Sequence, residues 1–381
     1  MTVSLKDSLK FFGIIAAMCC AAIVCNMFLN YDIDLRAIEG QVPQEMKTLY
    51  DALKLNDIAV CAISGIALVL TSVVMLVFYI GQYISANSQR FGILKALGYS
   101  DFKIAIKCVV FGFCVFFGVV LGLAISWAIM PKFYQLQNEG AVEIPEVVLH
   151  FHPLLFVLVL VLPVVFFSVL SVGIALNKLK LPALSLIRGE GRERKLKKIK
   201  EGKKDRSFIA QLGLNVLNEK KTLAFFVAFG GFCFSAMMQM GLSMRQYASD
   251  MMGYMILIMG LVLAFVSLYL AMSTVINGNK KKLAMLKVTG YSLKECAIAV
   301  LGLYHIPAFI GFAIGSVYQY GILVVMVNIV FASLDSSPRY SFDWQSFGIC
   351  LAIFIVVYEL INLAYTLIIS KTSVKAVMSE Q

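Results

Sequence analysis

Two ionisable residues lie deep inside long apolar stretches, His305 in "LYHIP" and Glu359 in "VVYELINLAY". If both stretches are membrane helices, His305 lies roughly 14 Å from the inner end of its helix and Glu359 roughly 20 Å from the outer end of the next, at about 1.5 Å per residue. Across ~30 Å of hydrocarbon these depths allow the two side chains to pair. The pair is either a packing hydrogen bond, with Glu359 protonated and bonded to Tyr358 or Asn362, or a group with a conformational or substrate role.

Other residues offer weaker candidates for chemistry. His150 and His152 flank Phe151, but two imidazoles without a third ligand make a poor metal site. The nine cysteines include no CxxC pair and lie in or beside apolar segments, which favours packing over disulfide or metal roles. There is no G-x-x-x-x-G-K-[ST] motif and no nucleophile–base set, so we predict that the chain is not an enzyme and binds neither a metal nor a cofactor.

The composition indicates a membrane protein. Hydrophobic residues make up 60% of the chain and charged residues only 14%, against about a quarter in soluble domains. A membrane helix needs roughly 20 apolar residues. The sequence predicts eight such helices, at about 11–28, 58–84, 105–130, 153–176, 222–243, 252–276, 297–330 and 346–370. We therefore predict an all-α polytopic membrane protein with small extracellular loops.

The distribution of charge predicts the orientation of these helices. With the N-terminus inside, the inner segments hold 27 of the 33 basic residues, and the outer loops hold 12 of the 22 acidic residues. This bias predicts that both termini lie on the cytoplasmic side. The net charge of +11 is then a property of the cytoplasmic face, which attracts anionic membrane lipids and requires no nucleic-acid partner.

One short phrase occurs twice between apolar stretches. "RFGILKALGYSDFKI" (90–104) returns as "KLAMLKVTGYSLKEC" (282–296), and aligning Gly98 on Gly290 also aligns Asn87 on Asn279. Each half then has the same plan of four helices. Because four is even, the two repeats are parallel. We predict three regions: a first four-helix unit at 1–180, a basic cytoplasmic linker at 181–206 that includes "GRERKLKKIKEGKKDR", and a second unit at 207–381 that opens with an amphipathic elbow helix at 207–221.

The repeated phrase predicts a short amphipathic helix that is continuous with two membrane helices. Gly98 and Gly290 are natural helix stops, because glycine enters the left-handed conformation at little cost. Ser100 and Ser292 can then cap the helices that follow. Each copy could be only an interfacial turn that places its lysines at the membrane surface. Its occurrence at equivalent points of both halves favours a dedicated docking surface.

Both phrases resemble the signature of the FtsX-like (MacB-type) ABC permease family, "RFGILKALGYS" closely and "KKLAMLKVTGYS" more loosely. The tail "LPALSLIRGE" is similar to the one after the fourth helix in that family, and the resemblance covers nearly the whole chain. It implies that 89–100 and 281–292 are coupling segments, which we call the first and second coupling segments, docked on separate ATPase subunits that carry ATP and magnesium. The contact or hinge positions implied by this resemblance are Arg90, Leu94, Lys95, Gly98 and Tyr99 in the first segment, and Lys282, Leu286, Lys287, Gly290 and Tyr291 in the second.

Two features depart from the family pattern. The second segment has Val288-Thr289 where the first has Ala96-Leu97, which raises the hypothesis that the two docking sites are unequal. Many family members also insert a folded domain between the first two helices of a unit. Here those loops span only about 29–57 and 244–251, with 44–57 a helical extension of the second membrane helix. The chain therefore fits the cytoplasmic membrane of a single-membrane bacterium.

The leading hypothesis is a permease subunit of an ABC transporter that exports or extracts an amphiphile, such as an antimicrobial peptide or a lipid. Two cytoplasmic ATPase copies are the expected partners, and a second permease or accessory chain is left open. One alternative is an ATPase-driven transmitter of a signal or a mechanical change, without transport. Another is a proton-coupled secondary transporter that uses Glu359 and His305.

Overall fold

The structure is a computed structural model, which describes residues 5–140, 145–187, 211, 213–215, 217, 221–247, 250–330 and 341–371. Every regular element in these residues is a helix. We number the α-helices as follows: α1 Leu5–Ala37, α2 Lys47–Ala86, α3 Ser88–Ala96, α4 Asp101–Ala105, α5 Val110–Gly140, α6 Pro153–Leu179, α7 Ala183–Ile187, α8 Lys221–Tyr247, α9 Asp250–Val288, α10 Leu293–Val300, α11 His305–Val330 and α12 Trp344–Lys371.

The helices form two compact units. Unit 1 contains α1–α7, and unit 2 contains α8–α10, α12 and residues 305–323 of α11. The predicted linker begins with an ordered helix, since 183–187 form α7, and its remainder from 188 lies outside the described residues. Of the predicted elbow helix, only 211, 213–215, 217 and 221 are described, and all are helical.

The all-α polytopic class predicted from the sequence is confirmed. Seven helices of the described chain are long and apolar enough to cross a membrane, and they include every predicted span except 58–84. That predicted span lies within α2, whose segment Val69–Ser85 joins Ser88–Ala96 of α3 across a bend of 66°. Together these two pieces supply the eighth candidate. The predicted extension at 44–57 is a 3-10 turn at Gln44–Met46 followed by the start of α2.

Unit 1 is held together by a close approach of α5 to α1. A Cβ on Gly118 would lie 2.6 Å from the carbonyl oxygen of Ile15, and one on Gly122 would lie 2.5 Å from that of Cys19. Glycines four residues apart share a helix face, so "GVVLG" lets the two backbones pack directly, as in other membrane helix pairs. A hydrogen bond from Asn26 Nδ2 to Ser126 Oγ (2.9 Å) fixes the same interface.

Unit 2 packs its first and third membrane helices in the same way. A Cβ on Gly311 would overlap the carbonyl oxygen of Ala228 on α8, and one on Gly315 would lie 2.5 Å from that of Phe232. Beside these glycines, Gln239 Nε2 donates to Ser316 Oγ at 2.7 Å. The sequence motif "GFAIG" on α11 thus corresponds to "GVVLG" on α5.

Asp343 caps the start of α12 in unit 2. Its carboxylate accepts hydrogen bonds from the backbone N–H groups of Gln345 (3.0 Å) and Ser346 (3.1 Å) and from the Ser346 hydroxyl. The bond from the Ser346 hydroxyl, followed by the two backbone bonds, stabilises the ionised form and lowers the pKa of Asp343 below its ordinary value. The cap therefore fixes the residue at which α12 begins.

Candidate coupling segments and membrane polar pair

Both coupling segments end in the same backbone motif. Gly98 and Gly290 each have φ of 86°, and they are the positive-φ residues among those described. Tyr99 N donates to Leu94 O (3.1 Å), and Tyr291 N donates to Leu286 O (3.1 Å). Together with the bonds from Gly98 N to Lys95 O and from Gly290 N to Lys287 O, each of which closes a smaller loop, this is the Schellman arrangement. The predicted glycine stops are therefore present in both segments. The backbone carbonyl oxygens of Leu94 and Leu286 accept hydrogen bonds within these turns.

The serines after each glycine cap the next helix, as the sequence predicts. Ser100 Oγ accepts from Lys103 N at 3.4 Å at the start of α4. Ser292 forms a reciprocal capping box with Glu295, whose carboxylate accepts from Ser292 N at 2.9 Å. Lys103 occupies the position of Glu295 in the first copy, so the second turn is the more strongly fixed of the two.

The two segments differ in how they join the preceding helix. The first is a separate helix, α3, which bends away from α2 at Asn87. The second is the last part of α9, a helix of 39 residues that continues without interruption to Val288. Asn279 bonds back to Val275 O (2.8 Å) as Asn87 does to Tyr83 O (2.9 Å), yet α9 does not break there. The predicted short helix is thus present only in the first copy, and the predicted continuity with the preceding membrane helix is present only in the second.

Lys95 binds inside unit 1. Its Nζ donates to the carbonyl oxygens of Leu179 (2.8 Å) and Leu181 (3.0 Å) at the end of α6 and to Asp101 Oδ2 (3.1 Å) on α4. The side chain is 22% exposed. A cation at a helix C-terminus satisfies carbonyls that lack partners within the helix. The site of Lys95 is therefore a clamp between α3 and α6, whereas the family resemblance implies that this residue is a contact or hinge position.

Helix α7 covers one face of the first coupling segment. A Cβ on Gly92 would lie 2.9 Å from Ile187 N and 3.0 Å from Ala183 O, so the two helices touch through backbone atoms. The described part of the tail "LPALSLIRGE", residues 181–187, thus folds back on the segment. Because Lys95 is bonded to the end of α6 and Gly92 packs against α7, the opposite face of α3 remains available to a partner.

That opposite face is apolar and exposed. Ile93 is 47% exposed, Leu97 70% and Tyr99 50%, and Arg90 is also exposed beside them. In the second segment Met285, aligned with Ile93, is 61% exposed, and Val288 is 62% exposed. A groove of about 630 Å³ runs along the second segment, and its lining includes Lys282, Met285, Leu286, Gly290, Tyr291 and Glu295. Lys287, which follows Leu286 in the chain, is half-buried.

The structure brings together the predicted intramembrane pair in unit 2. His305 Nε2 and Glu359 Oε1 are 2.8 Å apart. His305 begins α11 directly after a 3-10 turn, and its Nδ1 lies 2.9 Å from the carbonyl oxygen of Gly302 in that turn. Asn362 Nδ2 lies 3.4 Å from the same Nε2, and the Tyr358 ring meets the imidazole edge to face at 4.9 Å.

A second polar cluster, in unit 1, was not predicted from the sequence. Asp34 is 3% exposed and its Oδ1 lies 3.2 Å from His150 Nδ1 and 2.8 Å from His152 Nε2, while Tyr134 donates to its Oδ2 at 2.7 Å. The two histidines thus meet a carboxylate that lies 116 and 118 residues away in the chain. Asn30 and Asp34 at i and i+4 on an apolar helix were the available signal. Among the described residues, no group of three ligands is arranged to hold a metal.

Comparison with known proteins supplies one further observation. A family model described as "FtsX-like permease C-terminal" matches the chain twice, at residues 62–181 and 254–374. Each match ends with the fourth helix of a half and includes one coupling segment. No curated protein and no solved structure is significantly similar to the chain.

Proposed function

Because the chain belongs to the FtsX-like permease family, whose members are membrane subunits of ABC systems without a nucleotide-binding domain of their own, we propose that it is the permease of an ABC transporter and works with separate cytoplasmic ATPase subunits. The observation that carries this proposal is the pair of glycine-terminated segments with exposed apolar faces. One lies in each matched region.

The docking contact proposed here is apolar. Ile93 and Leu97 in the first segment, and Met285 in the second, are exposed next to charged side chains. Clustered apolar side chains at a polar boundary favour burial against a partner. Lys95 is already bonded within unit 1, so the basic character of the first segment rests on Arg90. The ATPase groove that receives this segment is expected to be lined by apolar residues.

Two ATPase copies fit the two segments, one for each. The segments are unlike in shape and charge, because α3 is separate and clamped whereas the second segment ends a continuous helix beside Glu295. We therefore expect the two ATPases to bind with different strength. A single chain would then supply both docking sites of the complex.

The substrate is proposed to be an amphiphile that enters from the membrane, such as an antimicrobial peptide or a lipid, for export or extraction. The outer connections support this. Only residues 38–46 separate α1 from α2, and only 248–249 separate α8 from α9, so neither connection has room for a folded extracellular receptor domain. The family resemblance to MacB-type permeases and a place in the cytoplasmic membrane of a bacterium belong to the same proposal.

The test is purification of the tagged chain from native membranes in a mild detergent, with identification of every protein that accompanies it. We expect an ABC ATPase to accompany the unaltered chain. We expect it to be lost from the double variant Leu97→Glu with Met285→Glu, because each glutamate would place a charge in the apolar contact. Leu184→Glu is the matched control, since Leu184 is 60% exposed on α7 and lies outside both segments.

The outcomes separate the hypotheses. Loss of the ATPase in the double variant but not in Leu184→Glu supports docking through the two segments. An ATPase that stays bound to the double variant would move the docking site elsewhere on the chain. Recovery of the chain alone, even after chemical crosslinking in the membrane, would contradict the ABC proposal.

A further inference from the structure

The hydrogen bonds of His305 determine where its protons lie. Nδ1 faces the carbonyl oxygen of Gly302 at 2.9 Å. A carbonyl oxygen only accepts hydrogen bonds, so Nδ1 carries a hydrogen in this arrangement. The second ring nitrogen, Nε2, then carries a hydrogen only if the imidazole is doubly protonated.

The contact between Nε2 and Glu359 Oε1 requires one more proton. A bare Nε2 and an ionised carboxylate are both acceptors, and two acceptors do not approach to 2.8 Å without a hydrogen between them. The contact is therefore either a carboxylic acid that donates to a neutral imidazole or an imidazolium that donates to a carboxylate. In both cases the pair holds one shared proton and has no net charge.

The surroundings favour retention of that proton. Glu359 lies about 22 Å along α12 from Trp344 and about 18 Å from Lys371, near the middle of the helix. Its side chain is 56% exposed among apolar neighbours such as Val356 and Leu360, which are themselves exposed on α12. A lone carboxylate at this depth is costly, whereas a neutral pair is not.

Within the described part of the chain, the long helices that pack against α12 carry no charged residue in their central turns. Helices α8, α9 and α10 pack against α12, and their charged residues lie toward the ends, for example Lys221 and Arg245 on α8 and Lys294 and Glu295 on α10. On α12 itself, Tyr358 is the titratable residue whose ring meets His305. The proton is thus shared by His305 and Glu359.

Asn362 can hydrogen-bond to His305 when the shared proton is absent. Its Nδ2 lies 3.4 Å from His305 Nε2 and can donate to that nitrogen once the proton has left. Asn362 is 7% exposed, and its Oδ1 has no hydrogen-bond partner in the described part of the chain. An amide can turn either its donor or its acceptor toward the imidazole, so His305 has a partner in both states.

The geometry points to a binding site for a single proton in the membrane-spanning part of unit 2, formed by His305 and Glu359, whose occupancy holds α11 to α12. When the carboxylic acid or imidazolium gives its proton to water, a carboxylate faces an imidazole lone pair and the contact is lost. The imidazole then bonds to Asn362, and the half-exposed Glu359 side chain is released. Neither docking nor ATP hydrolysis requires this site, so the inference goes beyond the proposed function.

The first experiment uses the full chain in lipid nanodiscs, without the ATPase. The chain has three histidines, so nitrogen NMR of a sample labelled only in histidine gives few signals, and His305→Gln identifies the one that matters. Infrared spectra of the same sample report protonated carboxyl groups through their carbonyl stretch. Glu359→Gln removes this carboxyl with little change of shape, and Glu139→Gln, at the outer end of α5, is the matched control.

At neutral pH we expect one of two signatures. Either a protonated-carboxyl band disappears in Glu359→Gln while His305 is neutral, or His305 is an imidazolium that becomes neutral in Glu359→Gln. The Glu139→Gln spectra should match those of the unaltered chain.

Two results would overturn the inference. One is a neutral His305 with no carboxyl band that depends on Glu359, because no proton would then be shared. The other is an imidazolium that persists in Glu359→Gln, because the proton would then belong to His305 alone. Since the ATPase is absent from this experiment, either result leaves the docking proposal standing, and loss of docking leaves the proton site standing.

Discussion

At the scale of single residues, Gly98 and Gly290 are required by backbone conformation alone. Each has φ of 86°, and a Cβ at either position would find no atom of the described residues within 4 Å. Space is therefore available for a side chain, but an L-residue would have to adopt the left-handed region. Steric crowding and conformational strain, which often act together at glycines, are separated here.

Substitution of Gly98 should therefore follow left-handed propensity and not side-chain size. We expect Gly98→Ala to destabilise the turn by about 1–2 kcal/mol, Gly98→Asn to cost less, and Gly98→Val to cost most. Limited proteolysis of the purified chain at 95–103 measures how often the turn opens. Equal cleavage of the asparagine and valine variants would contradict the conformational explanation, and Gly173→Ala, at a helical glycine with open space, is the control.

Whether the sequence could predict the contacts of a residue depends on how near its partner lies along the chain. The glycine stops and the serine caps were predicted correctly because each bond closes within five residues. The bonds of Lys95 within unit 1 were not predicted, because the carbonyl groups that it binds lie 84 and 86 residues later in the chain. The cluster around Asp34 was missed for the same reason. The pairing of His305 with Glu359, 54 residues apart, was predicted because rarity and depth in the membrane restrict the possible partners.

At the scale of elements, the first coupling segment is fastened to α6 and α7 and bends away from α2. Lys95 joins α3 to the last carbonyls of α6, and Gly92 joins it to α7. Movement of α3 would therefore be passed to the fourth membrane helix of the unit. The bend of 66° at Asn87 makes α2 the weaker connection.

Removal of the Lys95 charge should loosen α3 from α6. We expect Lys95→Met to cost on the order of 1–3 kcal/mol, because two carbonyls and a carboxylate lose a charged donor. Hydrogen exchange of the α3 amides should become correspondingly faster, by roughly tenfold for each 1.4 kcal/mol. Lys103→Met is the control, since that side chain is exposed on α4. Unchanged exchange in Lys95→Met would show that the clamp contributes nothing.

Helices whose existence depends on the length of an apolar stretch were predicted well. The breaks between consecutive helices were predicted less well. Seven of the eight predicted membrane helices are present as single spans, and the eighth is the bent pair of α2 and α3. The alignment of the two phrases implied equal helices, but α9 runs through the position at which α2 ends. The glycine pairs "GVVLG" and "GFAIG" were visible in the sequence and could have predicted the packing of α5 on α1 and of α11 on α8.

At the scale of the whole molecule, the two units share one packing plan. In each, the third membrane helix meets the first through a glycine pair, and a polar hydrogen bond lies beside it. One family match lies in each half of the chain, and each match includes the third membrane helix of its half but not the first. The parallel relation of the halves stays a prediction from the even number of helices, and the inside position of both termini stays a prediction from charge. The domain boundaries at 180 and 206 stay predictions from the repeat and the basic linker.

Surface labelling tests this orientation. Val148 is 62% exposed between α5 and α6 and is predicted to lie outside, whereas Leu184 is 60% exposed on α7 and is predicted to lie inside. All nine native cysteines are buried or only partly exposed, so an added one should dominate the labelling. On intact cells, a membrane-impermeant maleimide should modify Val148→Cys and spare Leu184→Cys until the membrane is opened. The opposite pattern would invert the topology.

The unbroken course of α9 has a mechanical consequence. A straight rod that pivots near the middle of its membrane span, Gly253–Ile276, has an inner arm of about 35 Å, ending at Val288, and an outer arm of about 22 Å, ending at Asp250. Such a rod is a lever: sideways displacement of its inner tip reappears at the outer tip, reversed in direction and reduced by about a third. The bent pair of α2 and α3 has a joint where α9 has none, and a joint converts the same push into local rotation. A force of equal size on the two coupling segments would therefore displace the outer end of α9 in the second half. In the first half it would rotate α3 about its joint with α2.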